Sequence, residues 1–166
     1  MPLVIFTGLP SSGKTKWAKQ LLQELQNKID DAKKTASPGG NYSVVYHSDD
    51  LLGIATEAYR ESALEKHSRG TQMSAVKRDI LRTCIVVLDS MAYIKGFRYQ
   101  LYCEAKGIMT PHCVVQVAAP TEKCRQWNAD SEDAERKCAP WLIKPLAFTH
   151  DALINSKPLA PPMIKG

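Results

Sequence analysis

The sequence predicts a three-layer α/β sandwich around a mostly parallel sheet. Three observations predict it. Short apolar runs recur along the chain, at residues 3–6, 43–47, 84–88 and 112–118. Segments with apolar residues at helical spacing separate them, so consecutive strands need crossover connections, which make a sheet parallel. The first run passes directly into a glycine-rich turn that opens a helix, Gly8-Leu9-Pro10-Ser11-Ser12-Gly13-Lys14-Thr15.

Each element has its own reason. Leu3, Val4, Ile5 and Phe6 form an uninterrupted apolar run, the mark of a buried strand. The helix that opens near Lys16 places Trp17, Leu21, Leu22, Leu25 and Ile29 on one face. Residues 31–41 turn charged, then rich in Ser, Pro and Gly, and read as a solvent-exposed connection. Residues 43–47 are dense in Val and Tyr, a second strand ended by Asp49-Asp50. Residues 51–64 mix apolar and charged positions and have room for one or two helical turns. Met73, Val76, Ile80 and Leu81 give residues 72–83 a helical register. Ile85-Val86-Val87-Leu88-Asp89 is a hydrophobic strand ending in a carboxylate. Phe97, Leu101 and Tyr102 set a helix over 96–105, closed by Lys106-Gly107. A fourth strand occupies 112–118, and another helix begins over 120–128. Residues 130–137 are strongly charged, and 158–166 read as a tail. The domain organisation is therefore one nucleotide-binding domain over 1–157 and a C-terminal tail over 158–166.

Composition narrows the class. A chain of 166 residues suffices for one domain with a core. No apolar stretch reaches bilayer length and no secretory signal precedes the loop, which predicts an intracellular protein and no membrane partner. The five cysteines, Cys84, Cys103, Cys113, Cys124 and Cys138, are scattered without a CxxC pair; Cys84 and Cys113, in or beside strands, read as small buried hydrophobes. The four histidines show no metal-ligand spacing. A net charge of +5 suits an anionic partner but is modest, and part of it can serve a nucleotide.

The loop at residues 8–15 is a phosphate-binding signature in its proper context of strand, turn and helix. Gly8 and Gly13 allow the backbone to wrap its amides around phosphates at a helix start, where unpaired N–H groups and the dipole favour an anion. Lys14 is placed to reach the β and γ phosphates, and Thr15 to put its hydroxyl on Mg²⁺. Ser11 and Ser12 shape the loop or donate to it. The alternative is a plain Gly/Ser turn. Asp89 suits Mg²⁺ opposite Thr15 through the metal's water shell, with Ser90 assisting; the alternative is a helix cap. Asp49 and Asp50 end the second strand, over the same carboxyl-end crevice. One of them can orient metal-bound water or take a proton from an attacking hydroxyl, Asp49 being the first choice, and capping suits the other.

Arg98 is a candidate for the phosphates or for nucleic acid, and Lys95, Arg125 and Arg136 are weaker candidates; solvent-facing charge is the alternative for each. Tyr93, Phe97, Tyr99 and Tyr102 flank Lys95 and Arg98, a mixture that suits either RNA stacking or packing of the helix on the sheet. Trp127 and Trp141 are open between core and base-stacking roles.

Taken together, the loop at 8–15, Asp49-Asp50, the block from Asp89-Ser90 through Tyr93-Ile94-Lys95-Gly96-Phe97-Arg98-Tyr99-Gln100-Leu101-Tyr102-Cys103-Glu104-Ala105, and Cys124-Arg125-Gln126-Trp127-Asn128 resemble the Elongator-associated tRNA-dependent ATPase family, itself similar to O-phosphoseryl-tRNA kinase. The resemblance covers residues 1–130. It implies a P-loop NTPase of the kinase-like type that hydrolyses Mg-ATP, with ATP and Mg²⁺ as its cofactors. It further implies support of Elongator, the complex modifying wobble uridines of tRNA, binding of tRNA, and location mainly in the cytoplasm, with the nucleus left open as a second location. Carried over by position, residues 8–15 bind phosphate; Thr15, Asp89 and Asp49 form the metal site; Lys14, Asp49, Asp89 and Arg98 form the catalytic set. The chain departs from the family pattern at Met91-Ala92, where an apolar residue and Asn usually precede the tyrosine. The family's helical C-terminal domain, implicated in tRNA binding, has no counterpart in this sequence, so weakened tRNA contacts are expected. The residues alone leave two further readings open: a kinase acting on an aminoacyl-tRNA or a small hydroxyl compound, and a nucleotide-dependent scaffold with little turnover.

Overall fold

The computed structural model describes residues 3–131 together with Cys138 and Ile143. Arg136, Trp141, most of the charged segment after Ser131, and the tail at 158–166 lie outside the described residues.

Four strands, β1 (Leu3–Thr7), β2 (Ser43–Ser48), β3 (Cys84–Asp89) and β4 (His112–Gln116), form a sheet in the order β2-β3-β1-β4. Every pairing is parallel. The register aligns Phe6 with Asp89 and Asp89 with Ser48, so the chain leaves β1, β2 and β3 at one edge of the sheet. That shared edge positions Gly8, Asp49 and Ser90 together.

Helices cover both faces, giving the predicted three layers. Leu3, Ile5, Val86 and Leu88 face one way and pack with Val76, Phe97, Leu101 and Ala105 from α2 (Ser62–Asp79) and α3 (Lys95–Gly107). Val4, Phe6, Ile85 and Val87 face the other way and pack with Ala18 and Ile29 of α1 (Lys14–Lys34), flanked by Leu21 and Leu25. A smaller cluster joins Leu9 to Cys124 of α4 (Thr121–Asp130) and to Ile143. Full burial of one such aliphatic side chain contributes about 1.5–3 kcal/mol.

Several expectations change. Trp17 is 54% exposed, because it stands about 100° of helix turn from Ala18, the residue the sheet covers. α1 extends to Lys34, past the expected boundary at residue 31. Lys33 and Lys34 suit the dipole of its last turn and pair with Asp30 and Asp31. The following connection turns at Thr35–Ala36 and then forms a 3-10 helix over Pro38–Asn41. α2 begins ten residues before the apolar spacing starts, since its first half buries Ser68 in place of a hydrophobic stripe. It ends at Asp79, leaving Ile80 buried outside the helix and Leu81 58% exposed. Residues 51–64, by contrast, hold helical turns as expected, a 3-10 helix at Thr56–Tyr59 and the first residues of α2. β4 stops at Gln116, short of residue 118. Tyr102 packs on the His112 ring at 4.7 Å, outside the core. Cys113 is exposed because β4 is an edge strand, whereas Cys84 is buried as expected. No helix among the described residues is long and apolar enough to cross a membrane.

Candidate functional site

The loop between β1 and α1 is built by its backbone. Gly8 has φ 150°, and a Cβ there would lie 2.5 Å from the Val117 carbonyl oxygen, so no other residue fits. Val117 N–H in turn donates to Thr7 O at 2.8 Å, fastening the end of β1 to the chain after β4. Gly13 takes φ 90° at the helix N-cap. No side chain caps α1 and no acidic residue occupies its first turn, so its leading N–H groups are directed at the loop. The buried hydroxyls of Ser12 and Ser90 have no partner among the described residues. Phosphate oxygens would satisfy such donors.

Lys14 is buried, and its Nζ donates to Leu9 O at 2.8 Å. Burial holds its pKa below the usual lysine value, against the opposing fields of Asp89, Cys138, Asp49 and Cys124. Thr15 follows it, half-buried. Asp89 is buried at the end of β3 and accepts a 2.8 Å hydrogen bond from the Tyr46 hydroxyl. Burial, then the Asp89 charge, pushes the Tyr46 phenol well above its ordinary value.

Asp49 and Asp50 part company. Asp50 is exposed, whereas Asp49 turns inward. Tyr59 Oη donates to Asp49 Oδ2 and Gln72 Nε2 to Oδ1, both at 2.6 Å. Burial raises the Asp49 pKa to about 6, although both hydrogen bonds pull it down. Lys14 thus lies within the electrostatic reach of two carboxylates at the carboxyl edge of the sheet.

The remaining candidates separate. Arg98 Nη1 donates to the carbonyls of Ala92 and Tyr93 at 2.7 and 2.8 Å, bracing the loop after Asp89. Ala92, in that loop, has φ 36°, a left-handed value that Asn tolerates better than Ala. Arg125 pairs with Glu122 on the exposed face of α4, and Lys95 is exposed. Tyr93 donates to Glu65 at 2.6 Å and Phe97 is in the core, which leaves Tyr99 and Tyr102 at the surface. Trp127 is 49% exposed.

Sequence reasoning missed Tyr46, Tyr59, Gln72 and Asn128. For Tyr46 a signal exists: the parallel register sets it opposite Val87, two residues before Asp89 and on the same face. Tyr59 and Gln72 come from an irregular segment and a polar helix face, which carry no such signal. Asn128 belongs to the block that carries the family resemblance, without a role read from it.

An oxygen-only set of one hydroxyl and two carboxylates, Thr15, Asp89 and Asp49, fits Mg²⁺ in chemistry. Among the described residues no group of three or more His, Cys, Asp or Glu forms a metal cage.

Comparison with known proteins places this geometry. The crystal structure of Chaetomium thermophilum Kti12 in complex with ADP-AlF3 superposes with a TM-score of 0.72 at 38% identity, over 90% of this chain and 84% of that one. The Mycobacterium tuberculosis APS kinase CysC, at 16% identity and a TM-score of 0.57, shares the fold, which is therefore of the P-loop kinase-like type. Protein KTI12 of Saccharomyces cerevisiae is 51% identical over 132 residues, 79% of this chain and 41% of that protein. Protein kti12 of Schizosaccharomyces pombe is 44% identical over 132 residues, 80% of this chain and 46% of that protein. The chain thus spans less than half the length of these curated relatives. The sequence profile of the family described as chromatin associated protein KTI12 matches residues 1–161, and with those identities behind it this chain belongs to the KTI12 family.

Proposed function

We propose that this chain binds Mg-ATP on the loop at residues 8–15 and hydrolyses it. In this reading it is the nucleotide-binding part of a tRNA-dependent ATPase that supports Elongator-mediated modification of wobble uridines, in the cytoplasm and also the nucleus. The observation that carries the proposal is the buried Lys14 ammonium, at an uncapped helix start and facing the fields of Asp89 and Asp49. The ADP-AlF3 complex of the Chaetomium relative supports nucleotide chemistry at such a site. Membership of the KTI12 family supports the link to Elongator and tRNA.

Each residue has a part in this reading. The loop amides and Lys14 hold the phosphates and offset charge gathering on the transferring phosphoryl group. Thr15, Asp89 and Asp49 hold Mg²⁺, which when bound neutralises phosphate charge. Asp49, kept in place by Tyr59 and Gln72, orients the attacking water. Arg98 acts at one remove, holding the loop that follows Asp89. Catalysis then rests on positioning and fixed charge, with no covalent intermediate on the protein.

A kinase reading draws on one observation, the inward-turned Asp49 carboxyl held by Tyr59 and Gln72, whose pKa burial pushes up to about 6, a value suited to accepting a hydroxyl proton near neutral pH. Product identity separates the two: free phosphate without an acceptor, or a phosphorylated acceptor.

Phosphate release from Mg-ATP, measured with and without bulk tRNA and against Lys14→Ala, tests the proposal. Release that requires Lys14 and rises with tRNA is expected. Release indifferent to tRNA would place RNA sensing outside this chain, in the part of the relatives beyond the match. No release at all would overturn the ATPase reading in favour of the kinase or a low-turnover scaffold.

A further inference from the structure

Ser11 sits in the phosphate loop with φ 57°, a left-handed backbone that strains a non-glycine residue. Its hydroxyl reaches across 117 residues of sequence to Asn128 Oδ1, at 3.1 Å. The orientation of the Asn128 amide is fixed by a two-point pair with Cys138. Cys138 N–H donates to Oδ1 at 2.8 Å, and Asn128 Nδ2 donates to Cys138 O at 2.8 Å. A flipped amide would set donor against donor and acceptor against acceptor, so Oδ1 is the atom that must face Ser11.

A second contact follows the same route. One helical turn before Asn128, Cys124 is fully buried against Leu9 of the loop and against Ile143. The i, i+4 pair Cys124 and Asn128 therefore presents one apolar and one polar contact to the loop, on one face of α4. Both contacts continue into the chain after α4, through Ile143 and Cys138.

We propose that Asn128 is a positioning residue for nucleotide binding, fastening the phosphate loop to the chain after α4 through Ser11. The proposal rests on the nucleotide reading of the loop. A serine held in a left-handed conformation needs an anchor, and Asn128 supplies it from α4, outside the loop. The chain after α4 thereby helps set the affinity of the loop for nucleotide.

The test is a double-mutant cycle on ADP affinity, measured by calorimetry with wild type, Ser11→Ala, Asn128→Ala and the double variant. Each single change should loosen ADP by about three- to tenfold, the worth of one hydrogen bond. The double variant should bind no more weakly than Asn128→Ala, because both changes remove one link. In Asn128→Ala, KM for ATP should rise accordingly, with kcat at saturation held within about twofold. Multiplying effects, or unchanged affinity in Ser11→Ala, would overturn the proposal. Ser11→Ala leaves α4 and Cys138 untouched, so it decides the matter even where Asn128→Ala fails to fold. Lys14-dependent ADP binding by wild type with no effect of Ser11→Ala sinks this inference alone. Wild type that binds no ADP sinks it together with the nucleotide reading.

Discussion

Tyr59 donates its hydroxyl hydrogen bond to Asp49 Oδ2 at 2.6 Å, and the pair is closed off further by Gln72, itself 1% exposed, on the other carboxylate oxygen. Such short bonds favour the ionised carboxylate, yet burial outweighs them and pushes the Asp49 pKa up to about 6. Two donors fix where the carboxylate points, while its surroundings keep it near neutrality.

That balance has a consequence for stability. The native pKa of Asp49 is raised above the unfolded value of 3.8 to about 6, so between these values the native state binds more protons than the unfolded state. Its stabilising share is fully present below the unfolded pKa and is lost as pH rises through about 6. Asp49→Asn removes the dependence, and the Tyr59 hydroxyl can turn to accept from the new amide. The variant should therefore be more stable than wild type by about 1–2 kcal/mol at pH 8, with the advantage gone at pH 4. Urea unfolding at the two pH values, without added nucleotide or Mg²⁺, reads this out; a difference that does not change with pH would refute it.

Lys14 is a second buried charge maintained at a cost to the fold. Burial lowers its pKa, and among the described residues its hydrogen bond goes to a neutral acceptor, Leu9 O. Lys14→Met keeps the length and removes the charge. Its unfolding midpoint should stay within about 1 kcal/mol of wild type, while ATP turnover falls at least about a hundredfold. A collapse in stability would show that Lys14 is a structural residue.

The strands and the loop were legible in the sequence for one physical reason. A sheet parallel throughout and covered on both faces demands apolar runs such as 84–88, and a tight turn beneath a helix demands Gly8. The carboxylate ending β3 could be read from that run. Polar helix faces and long-range ties carry no periodic signal. The first half of α2, with Ser68 inside and Lys66 outside, escaped for this reason. So did the donors Tyr59 and Gln72, which reach Asp49 from 10 and 23 residues away. The sheet edge works in the opposite direction: Cys113 has the surroundings of a strand in sequence, yet on edge strand β4 it is exposed among the described residues. Asp49 was separable from Asp50 only weakly, since the two differ in which way the chain turns after β2.

Asp89 and Tyr46 offer a graded test of the metal site. The Tyr46 hydroxyl occupies one lone pair of Oδ2 and orients the carboxylate. Asp89→Asn should raise the Mg²⁺ concentration for half-maximal turnover by at least about tenfold. Tyr46→Phe, which leaves the charge but frees its orientation, should raise it by up to about tenfold. Magnesium titrations of turnover that superpose on wild type would remove both residues from the metal site.

Arg98 provides the sharpest separation between a residue that braces and one that reacts. One guanidinium nitrogen serves two carbonyls, those of Ala92 and Tyr93, in a loop that also receives the Thr7 hydroxyl at Met91 O and contains the left-handed Ala92. Removing it leaves two carbonyls to find other donors, beside a backbone already under strain. Arg98→Ala should cost about 2 kcal/mol in urea unfolding, with turnover falling in step as the loop after Asp89 relaxes. Arg98→Lys should recover part of the stability, because an ammonium can reach the same oxygens without the planar fork. Unchanged stability with turnover reduced more than about tenfold in both variants would instead make Arg98 a direct partner of the phosphates, since only that role needs the guanidinium and not the loop.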